Sequence, residues 1–213
     1  MRYLSLSAIV FSLLFCSKTT VAGQCCRLEC ANSLFSWNAC CEEGNGEVKD
    51  VLVTDRPDFT EASTTVGLGR VQVELGYTHT YDNDGNTSRS EHSYPEPLLR
   101  VGLFANWFEL RIVWNLLDET ITTAGARATS VGSDDMQIGA KIALTEQCGC
   151  LPSMSIIPQM NVPTGSSGFT SDEVLPGLNW IYAWDINDRL SLAGSTQGNR
   201  VVDSTGHTHL EMA

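Results

Sequence analysis

Positive charge is what this sequence has least of. Thirteen arginines and lysines stand against 25 aspartates and glutamates, a net charge of −12, and the lysines are only Lys18, Lys49 and Lys141. So acidic a chain repels a phosphate backbone, and no nucleic-acid partner is expected. After the first 24 residues no apolar run approaches the ~18 residues that suggest a membrane-spanning helix. G-x-S-x-G is absent; Gly165-Ser166-Ser167-Gly168 reads as a loop with turn serines. There is no C-x-x-C-H for haem and no pair of C-x-x-C motifs at zinc spacing. The four histidines are His79, His92, His207 and His209. His207 and His209 alternate on one strand face, but no third metal ligand joins them. Asp55, Asp58 and Glu61 lack the spacing of an EF-hand loop and read as a polar lead-in to the first strand. The chain is therefore not read as an enzyme, and neither a cofactor nor a metal is expected.

What the sequence does have begins at its N-terminus. Arg2 precedes an uncharged apolar run from Leu4 to Phe15, followed by Ser17 to Thr20 and the small residues Ala22 and Gly23. This is the order of a Sec signal peptide, so residues 1–23 are expected to direct export. Lipidation at Cys16 is disfavoured because Phe15 stands where a small residue is wanted. Residues 24–53 form a cysteine-rich extension holding Cys25, Cys26, Cys30, Cys40 and Cys41; Cys148 and Cys150 come later. In an exported protein such clusters form disulfides more often than metal sites. Cleavage leaves an odd number of cysteines, so at least one is expected to be free or to pair between chains.

From residue 54 to 213 apolar residues recur at every second position, the period of a β-strand. Strands are expected over 70–81, 97–104, 107–116, 135–145, 154–162, 174–186 and 189–201, with a last one from about His207. In 107–116, Phe108, Leu110, Ile112, Trp114 and Leu116 oppose Trp107, Glu109, Arg111, Val113 and Asn115. No segment has the helical period. The connections alternate: residues 82–93, 118–134 and 163–173 read as long loops, while Ala105-Asn106, 147–152 and Asn187-Asp188 read as short turns. Short periplasmic turns and long external loops mark outer-membrane barrels. The fold expected is all-β: an antiparallel up-and-down outer-membrane β-barrel, incomplete at its C-terminus, with the N-terminus on the periplasmic side. The alternative is a secreted or periplasmic β-sandwich, a disulfide-linked binding or structural protein. Pro158 lies inside an expected strand, where it implies a bulge or an edge.

Several of these runs resemble one family. Thr54-Asp55-Arg56-Pro57-Asp58-Phe59-Thr60-Glu61 and Gly69-Arg70-Val71-Gln72-Val73-Glu74-Leu75-Gly76-Tyr77 are similar to the start of outer-membrane transporters grouped as the "MetA-pathway of phenol degradation" family. Pro97-Leu98-Leu99-Arg100-Val101-Gly102, Ile157-Pro158-Gln159-Met160-Asn161-Val162-Pro163-Thr164-Gly165 and Asn179-Trp180 resemble it as well. The resemblance covers about residues 54–213. It implies an outer-membrane barrel and uptake of hydrophobic or aromatic compounds, and it brings no catalytic residues.

On the polar strand faces lie Glu74, Arg100, Glu109, Arg111, Lys141, Gln159, Asn179 and Asp185. These are the candidate pore-lining residues, because charges along a lumen set solute selectivity. Arg100, Arg111 and Lys141 are expected to face Glu74, Glu109 and Asp185. The competing reading is that they form paired networks that fill the bore, since eight strands enclose barely enough room for side chains. Membrane lipid and a small solute are the expected partners, with the oligomeric state open.

Overall fold

A computed structural model describes Leu34, residues 52–55, 60–203 and 205–213 of the chain. The signal peptide and the cysteines from Cys25 to Cys41, with the disulfides expected among them, lie outside the described residues. Twelve strands form and every pairing is antiparallel. They are β1 (Val71–Glu74), β2 (Thr78–Asn83), β3 (Thr87–Ser93), β4 (Leu98–Gly102), β5 (Phe108–Val113) and β6 (Leu116–Thr123). The rest are β7 (Ala126–Ser133), β8 (Met136–Thr145), β9 (Ser153–Val162), β10 (Leu175–Asn187), β11 (Leu190–Val202) and β12 (Thr208–Met212).

The twelve strands are eight long passes of the chain. Four passes break once, giving β1/β2, β3/β4, β5/β6 and β7/β8. The breaks sit side by side and are bridged by backbone hydrogen bonds: Glu96 N–H to the Gly76 carbonyl, Tyr94 N–H to Leu116, and Asp134 N–H to Asn115. Pro95 and Pro97, which lack the amide donor a ladder needs, account for the break between β3 and β4. On one side of the breaks an eight-stranded sheet runs β1-β4-β5-β8-β9-β10-β11-β12; on the other a four-stranded sheet runs β2-β3-β6-β7. Each pass pairs with its neighbour in the chain, which is an up-and-down meander. In the described residues β1 and β12 are the edges of the larger sheet.

Strand backbones approach closely only along their ladders. The two sheets lie end to end along shared passes.

The smaller sheet corrects the expected loops at 82–93 and 118–134, which are the hairpins β2–β3 and β6–β7. Their corners are short. Asp84 accepts hydrogen bonds from the Asn86 and Thr87 amides, and Ala124 and Gly125 both take positive φ, as a two-residue hairpin turn requires. These strands are polar on both faces, so the period-two contrast vanishes although Thr, Ile and Tyr still favour extended backbone. Residues 163–174 are a true long loop between β9 and β10. Pro158 sits inside β9 in the middle of the larger sheet, not at an edge. Its pairing to β10 is regular, but the β8 ladder passes from Gly139↔Gln159 to Ile142↔Ile156, opening where the proline has no N–H to give.

The two faces of the larger sheet have opposite character. Val71 (65% exposed), Leu192 (55%) and Leu210 (64%) point outward from the convex face, as do Val73, Leu178 and Ile186. Aromatic side chains lie at two levels of that face. Tyr77 and Trp114 stand next to the breaks, while Phe108, Trp180, Tyr182 and Trp184 stand toward the short turns, the last three as a run of adjacent rings. The concave face buries Leu98, Ala143, Ile157 and Ile181 together with ionised groups. Charge inside and hydrocarbon outside inverts the arrangement of a soluble domain.

Candidate functional site: the concave face of the larger sheet

Register places the inward side chains in rows across the strands. One row reads Gln72, Arg100, Arg111, Gly139, Gln159, Gly177, Asn199 and Glu211. On β1, β4, β5 and β8 the inward residues include five charged ones, Glu74, Arg100, Glu109, Arg111 and Lys141. On β9, β10 and β11 they are amides, hydroxyls, glycine and apolar side chains.

The charged half is closed by the segment before β1. Residues 52–55 and 60–66 lie across it and deliver Asp55, which is 3% exposed, to Lys141 and both arginines. Lys141 Nζ donates to Asp55 Oδ2 at 2.6 Å and to the Ala62 carbonyl at 2.8 Å. Arg111 pairs with Asp55, Glu61 and Glu109. Arg100 makes a two-armed contact with Glu109, Nε to Oε1 at 2.7 Å and Nη2 to Oε2 at 2.9 Å, and reaches Glu74 at 3.1 Å. Backbone groups complete the shell. The Asp55 amide donates to the Glu74 carboxylate, the Val66 amide to Glu109, and Arg100 gives its remaining N–H groups to the Val53 and Thr64 carbonyls. Arg100, Glu109 and Lys141 are at most 1% exposed. Burial pulls the Asp55 carboxyl toward its neutral form; Lys141, Arg111 and Arg100 outweigh that and hold its pKa below the ordinary 3.8.

The segment is seated by the sheet rather than merely laid on it. A Cβ at Gly102 would fall 1.7 Å from the Gly67 carbonyl oxygen, so only glycine lets the backbone cross there. The Leu68 amide bonds the Asn106 side chain at 3.0 Å, Thr65 bonds the Asn106 carbonyl, and Ser63 meets Ser153 across 2.8 Å. Asn106 lies in the β4–β5 turn, so the segment reaches the concave face from the short-turn end.

The opposite end is narrowed by the 163–174 loop. Asp135, at the β7/β8 break, accepts hydrogen bonds from the Gly165 amide (3.0 Å), the Ser171 amide (2.8 Å) and the Ser171 hydroxyl (2.6 Å). Ser166 bonds the Ser133 backbone on both its N–H and C=O sides. The loop therefore folds over the sheet. Beneath it is a cavity of about 500 Å³ between the loop and the inner sides of β8, β9 and β11.

Of the eight candidate residues, Glu74, Arg100, Glu109, Arg111 and Lys141 meet in the one network. Asn179 joins its margin, donating to Glu61 at 3.2 Å. Gln159 lies in the amide half, bonded to Asn199 at 3.3 Å. Asp185 is not brought to the cations; it is exposed near the β10–β11 turn, where its backbone exchanges hydrogen bonds with the Gln147 side chain. The expected lead-in is corrected: Asp55 is the hub of the network and Glu61 an arm of it, while Asp58 lies outside the described residues. Among the described residues no cluster of His, Cys, Asp and Glu is arranged to hold a metal ion.

An all-β antiparallel meander, polar within and apolar without, with a segment of its own chain folded onto its inner face, is the wall of a barrel-type protein. The chain belongs to the family described as "Putative MetA-pathway of phenol degradation", whose family model matches residues 54–210. The matched stretch takes in the Asp55 segment and every strand from β1 to β11. No curated protein and no solved structure matches the chain.

Proposed function

We propose that the chain forms the wall of an outer-membrane β-barrel that passes small hydrophobic or aromatic solutes and performs no chemistry on them. The observation that carries the reading is the inverted burial. Val71, Val73, Leu75, Leu192 and Leu210 are exposed on the convex face while Arg100, Glu109 and Lys141 are sealed on the concave one. In water this arrangement exposes a broad apolar surface; in a bilayer the same surface is solvated by lipid, flanked by aromatics at two levels. Family membership supports a place in the handling of phenolic compounds. The polar hairpins β2–β3 and β6–β7 fit the part of an outer-membrane barrel that stands clear of the bilayer. The test is expression of the full chain followed by fractionation and gel migration with and without boiling. Outer-membrane recovery with heat-modifiable migration is expected. Recovery in the soluble periplasm without detergent overturns the reading.

A further inference from the structure

We infer that the cavity beneath the 163–174 loop is a binding site for uncharged hydroxylated rings, a selectivity station on the amide half of the concave face; this rests on the transport reading above. The cavity is lined by the amides of Gln137, Gln159, Asn161 and Asn199, with Phe169 and Leu175 supplying apolar surface. Its volume of about 500 Å³ lies within the range of small-molecule pockets. The amides stand in two cross-strand pairs, Gln137 to Asn161 and Gln159 to Asn199, each at 3.3 Å. Each contact uses one N–H and one oxygen, so most of the donors and acceptors of the four side chains stay available. Hydroxyl groups both donate and accept, and a cluster of amides offers both in return without charge.

The pairs are set up by glycine at the one position between them on β10. Gly177 lies opposite both Gln159 and Asn199, and a Cβ there would fall 2.0 Å from Asn199 Oδ1. Any larger residue would push the Asn199 side chain out of its contact with Gln159.

The neighbouring charges are already engaged. Arg111 is held by Asp55, Glu61 and Glu109, and Asp135 by Gly165 and Ser171. Arg200 follows Asn199 on β11 and shares the outer face with Leu210, where its guanidinium bonds the Thr208 hydroxyl at 3.0 Å. Glu211, opposite Asn199 on β12, is exposed to solvent. A carboxylate solute finds no uncommitted cation in the amide cluster, and an ammonium finds only that solvated glutamate. A neutral ring can set hydroxyls against the amides and its C–H face against Phe169.

The test is calorimetric titration of the full chain in detergent with three ring probes of similar size: glucose, glucuronate and glucosamine. Glucose is expected to bind about tenfold more tightly than either charged probe, and Asn199→Leu to weaken it about tenfold through loss of hydrogen bonds. Heat-modifiable migration of the variant shows that it folds. Gly177→Ala is a second variant expected to weaken glucose without removing any polar group. Equal binding of all three probes, or glucose binding unchanged in both folded variants, overturns the inference. Liposome swelling separates it from the transport reading. Glucose binding without solute flux keeps the site and defeats transport, whereas flux with no probe bound defeats the site alone.

Discussion

The two halves of the concave face are built from the same strand geometry and solve the same burial problem in different ways. On β4, β5 and β8 the inward residues include the ionised Arg100, Glu109, Arg111 and Lys141, and residues 52–55 and 60–66 fold back to neutralise and cover them. On β9, β10 and β11 they are neutral, and the face keeps a cavity under a loop. The difference follows from electrostatics. A buried cation is tolerated only with partners and hydrogen bonds on every side, so the charged half demands cover. An amide can meet solvent, a neighbour or a ligand at small cost, so the neutral half can stay open. The charged half fixes the wall, and the neutral half keeps its cavity.

The sharpest way to break this contrast is Asp55→Ala. It leaves Lys141 and Arg111 buried without their shared anion, and a loss of about 3–5 kcal/mol is expected, read as a lowered urea midpoint for unfolding in detergent. Gly102→Ala comes next. A methyl group there collides with the Gly67 backbone, and a cost of about 1–3 kcal/mol is expected, together with raised single-channel conductance as the Asp55 segment comes away. A conductance unchanged from the parent would show that the segment does not occlude the bore.

Acid should act on the charged half through Asp55. The Asp55 pKa is depressed in the folded chain, so its contribution is fully present above the ordinary carboxylate value of 3.8 and is lost as pH falls through the lower folded value. Unfolding midpoints measured from pH 6 downward should drop only below about pH 4, and Asp55→Asn should flatten that drop. The smallest effect belongs to the neutral half. Gln159→Ala removes one amide contact, and about 0.5–1.5 kcal/mol or less is expected by the same urea assay. A loss as large as that of Asp55→Ala would erase the distinction between the halves.

The strands of the larger sheet are legible in the sequence because one face is apolar and the other polar, so period two survives in nearly every pass. Where both faces are polar the period is lost. Residues 82–93 and 118–134 read as loops for that reason, although Thr120 and Ile121 favour extended backbone. The wall part of the network is legible for the same reason as the strands: Glu74, Arg100, Glu109, Arg111 and Lys141 all fall on the polar parity. Asp55 and Glu61 are not, since an irregular segment has no period to betray its inward side. The available signal was charge arithmetic. With Asp185 out of reach, the wall offers Glu74 and Glu109 to Arg100, Arg111 and Lys141, and an acid from elsewhere has to complete the set.

The bond between Asp55 and Lys141 joins residues 86 apart in the chain. It therefore imposes an order on assembly. The acidic segment is made first but cannot dock until β4, β5 and β8 have come into register, because each contributes one of the cations it binds. Until then those cations and Asp55 remain hydrated, which delays the desolvation of the charged half to a late step. The seating of the Asp55 segment is thus a report, written ahead of the strands, that half of the sheet has been built.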